Sequence, residues 1–95
     1  MSNLFNTNEY ILENIVEELV YREARSVMKA LDMCTCQKCL FDVCAIALNN
    51  IKPKYVTSEK GSLLMQASKL KQNEKTEITV EITKAAAIVM ANPNH

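Results

Sequence analysis

The sequence contains no tryptophan, few other aromatic residues and a single glycine, Gly61. A β-sandwich or β-barrel needs many turns and a supply of strand-forming residues, so both architectures are disfavoured. One glycine also excludes a glycine-rich phosphate loop. The only histidine is His95, the last residue, where we predict a solvated imidazole. Because no Cys-His or Ser-His arrangement is then available, we predict that the protein is not an enzyme.

Long hydrophobic runs and a dominant charge are also missing. The amino terminus has neither a basic nor an apolar signal region, and nowhere do about 18 uncharged apolar residues run together. We therefore expect one soluble, cytoplasmic domain over residues 1–95, without a membrane segment. Residues 52–75 contain six lysines but only two acidic residues. With a formal net charge of zero, this local excess is too weak to predict direct DNA binding.

A long amphipathic helix is predicted over roughly residues 7 to 32. Asn6, followed three positions later by Glu9, resembles a capping box, and apolar residues behind it recur at helical spacing. Ile11 and Ile15 make the apolar face wider than one neighbouring helix would cover. We therefore expect a partner chain to cover the remainder.

Two further helices are predicted in the middle of the chain. The first follows the cysteine segment, is apolar nearly all round and should lie at the centre of the fold. Pro53 should end it, because the residue before a proline is disfavoured in the α conformation. Thr57 or Ser58 can cap the next helix, which carries Leu63, Ala67 and Leu70 and runs to about Asn73.

The last segment has two interpretations. Ile78, Val80 and Ile82 alternate as in a β-strand, yet the apolar residues from Ile78 to Val89 also fit the helical period. The run of alanines favours a helix, and a single strand would have no partner. The predicted fold is therefore all-α, a compact bundle of about four helices.

All four cysteines lie within eleven residues, with the spacing C-x-C-x2-C-x4-C. Reduced cytosolic thiols and short spacings argue against disulfides, whereas four thiolates form a closed tetrahedral shell around Zn²⁺. Cys39 and Cys44 would point about 140° apart on one continuous helix, so we expect Cys39 in the loop or at the helix entrance and Cys44 one turn inside. The sequence thus predicts a structural zinc that clips the loop between helices 1 and 2. The predicted ligands are Cys34, Cys36, Cys39 and Cys44.

Two other interpretations of the cysteines remain open. A redox-active C-x2-C pair would gain reactivity from a thiolate at a helix entrance, such as Cys36. The two additional cysteines and the missing βαβ context argue against this interpretation. The cysteines can also be buried thiols without a ligand.

The cysteine block resembles a known family. Cys34 to Cys39 with Asp42, the run AIALN, then Pro53-Lys54-Tyr55-Val56 and Gly61 are similar to the late competence development protein ComFB family. The run NIVEELV and the terminal NPNH extend the resemblance over essentially the whole chain. Lys52 stands where the family usually has a first proline, and Cys44 is an additional cysteine.

The resemblance implies a helical homodimer that binds zinc and takes part in natural competence, with relatives that are receptors for cyclic dinucleotides. Lys52, Lys54 and Tyr55 then form the candidate ligand site for cyclic di-AMP or cyclic di-GMP, since two cations stand beside a ring that can stack on a base. In the competing interpretation, Tyr55 packs into the core and the lysines are solvated. The alternative function is a protein-interaction component of the competence or DNA-uptake machinery, which uses the wide apolar face at Ile11 and Ile15.

Overall fold

A computed structural model describes residues 4–59 and 70–93. In chain order its elements are β1 (Tyr10–Asn14), α1 (Ile15–Ala30), α2 (Gln37–Leu48), β2 (Tyr55–Glu59) and α3 (Gln72–Ala91). Each of the three helices packs against the other two, and the two strands pair with each other. The described part of the chain is therefore mostly helical, as predicted, but it also contains a small sheet that the all-α prediction left out.

The sheet is antiparallel, with Tyr10 opposite Glu59 at one end and Asn14 opposite Tyr55 at the other. It corrects two predictions: the first helix begins at Ile15 rather than near residue 7, and Thr57 lies in β2 instead of capping a helix. Both strands are rich in aromatic and β-branched residues, which suit a sheet. The first segment pairs with a distant strand instead of forming a helix. The local spacing of apolar residues carries no information about such a distant partner.

The segment before β1 is a turn rather than a helix start. The Tyr10 N–H donates to the Thr7 Oγ1 at 3.0 Å, and Asn6 forms an isolated bridge with Ile11. Asn6 and Glu9 thus do not form the predicted capping box. The Thr7 hydroxyl accepts a hydrogen bond from a nearby backbone N–H, which takes the place of the backbone hydrogen bond that a helix would form.

Asn14 starts α1. Its side chain accepts a hydrogen bond from the Val16 N–H, as an N-cap residue does. Glu17 and Glu18 follow in the first turn, where negative charge interacts favourably with the helix dipole. The residues of α1 that face the interior recur mainly every four positions: Ile15, Val16, Val20, Ala24 and Met28.

Two asparagines rather than a proline end α2. The Asn49 and Asn50 side chains donate to the Ala45 and Ile46 carbonyls at 2.9 and 2.8 Å, so α2 stops well before Pro53. This helix is not buried all round as predicted, since Phe41 is half exposed. The buried residues of α2 lie mainly on one side of the helix, because α1 and α3 pack against that side.

The helical interpretation of the last segment is confirmed, because α3 is continuous through Ile78, Val80 and Ile82. The predicted third helix lies mostly outside the described residues, as do Leu63 and Ala67 within it. Leu70 is described and is buried just before α3. One cluster of buried side chains joins the three helices; its largest fully enclosed members are Met28, Ile82, Val20, Val43 and Cys39.

Candidate metal centre

The way α1 ends positions the cysteine loop. Asp32 has a φ of 55°. Its N–H donates to the Lys29 carbonyl at 3.1 Å, and the Met33 N–H donates to the Met28 carbonyl at 3.3 Å. These two bonds are those of a Schellman motif, in which a left-handed residue turns the chain out of the helix. Aspartate tolerates that conformation better than most residues, and the turn leads to Cys34 two positions later.

Three cysteine sulfurs converge at this turn. The Sγ atoms of Cys34, Cys36 and Cys39 all lie within 4.8 Å of one another. Cys36 is the N-cap of α2 and Cys39 lies in its first turn, so the start of one helix supplies two of the three sulfurs. Tetrahedral zinc with Zn–S bonds of about 2.3 Å would place sulfurs about 3.8 Å apart. Small side-chain adjustments therefore suffice, and these three residues can hold a metal ion.

The surroundings affect these thiols unequally. The Cys39 N–H donates to the Cys36 Sγ at 3.4 Å. This backbone hydrogen bond, assisted by the Cys34 side chain, lowers the pKa of Cys36. Burial raises the pKa of Cys39 to about 12, and its hydrogen bonds with the Cys36 and Cys34 thiols add to the increase. Because a coordinated cation deprotonates a thiol, Cys39 is the thiol of the three whose ionisation would depend most on a bound metal.

Cys44 lies outside this group of three sulfurs. Cys39 lies in the first turn of α2, and Cys44 lies further along the same continuous helix. Five residues of regular helix turn the side chain by about 140°, which directs it away from the loop. Cys44 is instead a buried thiol whose pKa is raised by burial.

Two positive side chains that the sequence analysis overlooked lie beside the loop. Arg25 and Lys29 line one cavity together with Thr35, which sits between the first two cysteines. Their spacing of four residues places them on one face of α1, and that spacing is the signal in the sequence. Lys38 also lies among the cysteines in sequence, but its ammonium lies 2.7 Å from the Asp42 carboxylate. Arg25 and Lys29 are therefore cations that reach the cavity at Thr35, between the first two cysteines in sequence.

The predicted nucleotide-binding residues lie just before β2 and at its first position. The Tyr55 side chain is 64% exposed, so the interpretation of Tyr55 as part of the core is wrong. Lys52 is also exposed. Lys54 is more constrained, because its N–H donates to the Asn14 Oδ1 at 2.8 Å and its ammonium lies 3.4 Å from the Glu74 carboxylate. The segment therefore presents an exposed ring and one solvated cation, while the second cation already has a partner.

The apolar surface expected on the first helix is not where it was predicted. Ile11 lies on β1 and is 8% exposed, and Ile15 is 4% exposed, so both are covered by this chain itself. The exposed apolar side chains lie elsewhere, with Phe41 on α2 and Ile88 and Met90 on α3 as examples. Sequence periodicity could not separate these faces, because the strand pair changed which residues of the first segment turn inward.

Taken together, the fold and the site define a small, mostly helical protein with one antiparallel strand pair and three convergent cysteines that can hold a metal ion. Within residues 4–59 and 70–93, none of the helices combines the length and the apolar character needed to cross a membrane. The model of the family "Late competence development protein ComFB" matches residues 13–93. The chain belongs to the ComFB family.

Two similar proteins agree with this assignment. The chain is 30% identical over 92 residues to the competence protein ComFB of Bacillus subtilis (strain 168), a match that covers 96% of this chain and 86% of that protein. A solved structure of the late competence protein ComFB from Bacillus subtilis is similar with a TM-score of 0.71 and 31% identity. That match covers 88% of this chain and 96% of the solved chain. The resemblance noted in the cysteine block is thus confirmed.

Proposed function

We propose that this chain is a non-enzymatic regulatory protein of natural competence, stabilised by one structural zinc ion. The observation that carries the proposal is the convergence of the Cys34, Cys36 and Cys39 sulfurs within 4.8 Å of one another. Soft thiolate ligands favour zinc over hard cations such as magnesium and calcium. Membership of a competence family supports the biological role.

The chain's own residues determine what the ion would do. Cys34 follows the Schellman turn of α1, while Cys36 and Cys39 belong to the start of α2. Zinc would add a closed-shell crosslink between these segments without redox chemistry. In small zinc domains such binding is coupled to folding and contributes on the order of 10 kcal/mol, which is large for a domain of this size. The role is therefore to fix how α1 and α2 meet.

Metal analysis tests the zinc directly. Native mass spectrometry and elemental analysis of the purified protein should find one zinc per chain, and a strong chelator should remove it and lower the melting temperature. Free-thiol titration separates this proposal from a redox pair, because bound zinc masks its cysteine ligands whereas a redox pair leaves them reactive. Absence of stoichiometric metal would reject the zinc centre.

The regulatory input that we propose is a cyclic dinucleotide, bound by the protein as a dimer. Support comes from the exposed Tyr55, three residues after the exposed Lys52 in sequence. Stacking of a base on an aromatic ring contributes about 1–3 kcal/mol, and an ammonium can pair with a phosphate. Lys54 would contribute less than the sequence suggested, because its ammonium lies beside Glu74.

Titration calorimetry with cyclic di-AMP and cyclic di-GMP tests this input. We expect Tyr55→Ala and Lys52→Ala to weaken binding at least tenfold, since each removes about 1.4 kcal/mol or more. Tyr10→Ala is the matched control, because Tyr10 is another exposed tyrosine of the same sheet, at the opposite end of the strand pair. Absence of heat with either nucleotide up to high micromolar concentration would reject the ligand and leave the zinc proposal standing.

The alternative function is protein interaction without a small ligand. It is favoured by the exposed apolar side chains Phe41 on α2 and Ile88 and Met90 on α3, which water solvates poorly. We expect these residues to be covered in a homodimer or by competence proteins. Light scattering after size-exclusion chromatography should show a dimer for the wild type and a weakened dimer for Ile88→Ser. Leu4→Ser is the control, because Leu4 is also exposed; equal effects of both changes would reject this surface.

A further inference from the structure

Cys36 and Cys39 form a C-x2-C pair at the start of α2. Cys36 is the N-cap residue and Cys39 lies in the first turn. The Cys39 N–H donates to the Cys36 Sγ at 3.4 Å, and the two Sγ atoms lie within 4.8 Å of each other. Residues three apart in a helical turn have Cα atoms about 5 Å apart, inside the range of about 4.4–6.8 Å that a disulfide requires. Short spacing alone disfavours a disulfide, but the backbone at this helix start is compatible with one.

The two thiols of the pair differ in their access to solvent. Cys36 is exposed, whereas Cys39 is 1% exposed and belongs to the core cluster. A small molecule that reaches the loop therefore meets the Cys36 sulfur first. Cys34 is exposed as well, but Thr35 separates it from the N-cap, whereas Cys36 and Cys39 share one helical turn. An exposed thiol with a buried thiol beside it is the arrangement of an attacking and a resolving cysteine.

We propose that Cys36 and Cys39 form a disulfide by exchange with a low-molecular-weight disulfide, so that the loop holds either a metal ion or an internal disulfide. The Cys36 sulfur, as a thiolate, attacks one sulfur of the small disulfide; that S–S bond breaks, a mixed disulfide with Cys36 forms and one small thiolate leaves. The Cys39 thiol gives its proton to solvent, its sulfur attacks the Cys36 sulfur, and the second small thiolate leaves. The two protein thiols are thereby oxidised by two electrons, and the small disulfide is reduced to two small thiols.

The consequence of this exchange rests on the proposed zinc centre. A metal site needs thiolates, and the disulfide removes two of the three sulfurs that converge in the loop. Within residues 4–59 and 70–93, no further cysteine, histidine or carboxylate joins the group, and the chain's only histidine, His95, lies outside those residues. Cys34 is then the remaining thiolate of the group. The oxidation state of the pair therefore decides whether the loop can hold the ion that fixes α1 against α2.

Oxidised glutathione is the probe, added to the full-length, zinc-loaded protein at neutral pH. A colorimetric indicator follows released zinc, and peptide mass spectrometry after alkylation of the remaining thiols locates the disulfide. We expect one zinc ion released for each Cys36–Cys39 disulfide formed, and reduction with dithiothreitol should restore zinc binding. Cys44→Ser is the matched control, because Cys44 is a buried cysteine outside the group, and it should behave as the wild type in both measurements.

Two variants separate the roles within the loop. Cys34→Ser removes a metal ligand but keeps the pair, so it should lose zinc and still form the Cys36–Cys39 disulfide. Cys39→Ser removes the resolving thiol, so glutathione should remain attached to Cys36 in at least tenfold greater amount than in the wild type. A disulfide that joins Cys34 to either partner, or mixed disulfides that accumulate in the wild type, would overturn the inference.

The failure of this inference is distinguishable from the failure of the zinc proposal. A zinc-loaded wild type that keeps both its ion and its unoxidised thiols in millimolar oxidised glutathione would overturn the inference and leave the zinc centre standing. A purified protein without zinc would reject the zinc centre, and with it the exchange between ion and disulfide. Mass spectrometry of that same protein would show whether the Cys36–Cys39 disulfide forms without any link to a metal.

Discussion

Replacing Asn14 by alanine should destabilise the fold by more than the loss of an ordinary helix cap. The Asn14 Oδ1 accepts from the Val16 N–H at 3.2 Å and from the Lys54 N–H at 2.8 Å, the latter 40 residues away in sequence. Loss of the cap costs about 1 kcal/mol. The partly buried Lys54 N–H would lose its acceptor, which costs about 1–3 kcal/mol more. The expected total is about 2–4 kcal/mol, a large part of a typical stability of about 5–15 kcal/mol.

Urea unfolding followed by far-ultraviolet circular dichroism, at neutral pH and constant zinc, measures this effect. Asn14→Asp keeps an acceptor for both N–H groups, so its stability should lie much closer to the wild type than to Asn14→Ala. Asn49→Ala is a control of the same residue type, because Asn49 donates a single hydrogen bond at an exposed helix end. It should change stability by no more than about 0.5 kcal/mol.

Two results would refute this reasoning. An Asn14→Ala variant within about 0.5 kcal/mol of the wild type would show that water or a local rearrangement replaces both hydrogen bonds. An Asn14→Asp variant as unstable as Asn14→Ala would show that the acceptor is not what matters. In either case, the link between the start of α1 and the segment before β2 would not contribute to stability as inferred.

Three further predictions concern other parts of the molecule. Cys36→Ser should abolish zinc retention and lower the melting temperature, measured by elemental analysis and calorimetry; unchanged melting would contradict a structural metal. Met28→Ala should lower the free energy of unfolding by about 2–5 kcal/mol in chemical denaturation, because Met28 is fully enclosed between the helices. A decrease below about 1 kcal/mol would mean that the neighbouring side chains fill the cavity. The Lys71 N–H, 2.9 Å from the Glu74 carboxylate, and the ammonium of Lys54 lower the pKa of Glu74 from 4.5. The ionised Glu74 carboxylate therefore stabilises the fold above pH 4.5, and this stabilisation is lost as the pH falls through the lower pKa of the folded state. Glu74→Gln should flatten the acid side of the plot of unfolding free energy against pH. An unaltered plot would count against this role of Glu74.

Local chemistry explains which predictions agree with the structure. Cys34, Cys36 and Cys39 are so close in sequence that a short turn brings them together whatever the rest of the fold does. The last helix was predictable because its apolar period extends over many residues, more than a strand of ordinary length would use. The residues of the cysteine block were also sufficient to suggest the family that the comparisons establish.

Non-local contacts explain the rest. The pairing of β1 with β2 joins segments about 45 residues apart, so the first segment formed a strand although its local pattern fitted a helix equally well. That pairing buried Ile11 and removed it from the predicted interaction face. The position of Cys44 depended on where α2 begins, since a start at Gln37 placed it on the same helix as Cys39.

The cysteine loop, the predominance of helix and the family could be predicted from the sequence, because they depend on residue types at short, regular spacing. The packing of distant segments was needed to show which apolar residues remain exposed and where Tyr55 lies. Those outcomes depend on the direction in which each side chain leaves its helix or strand. That direction is settled only when distant segments compete for the same buried surface and the same backbone hydrogen bonds.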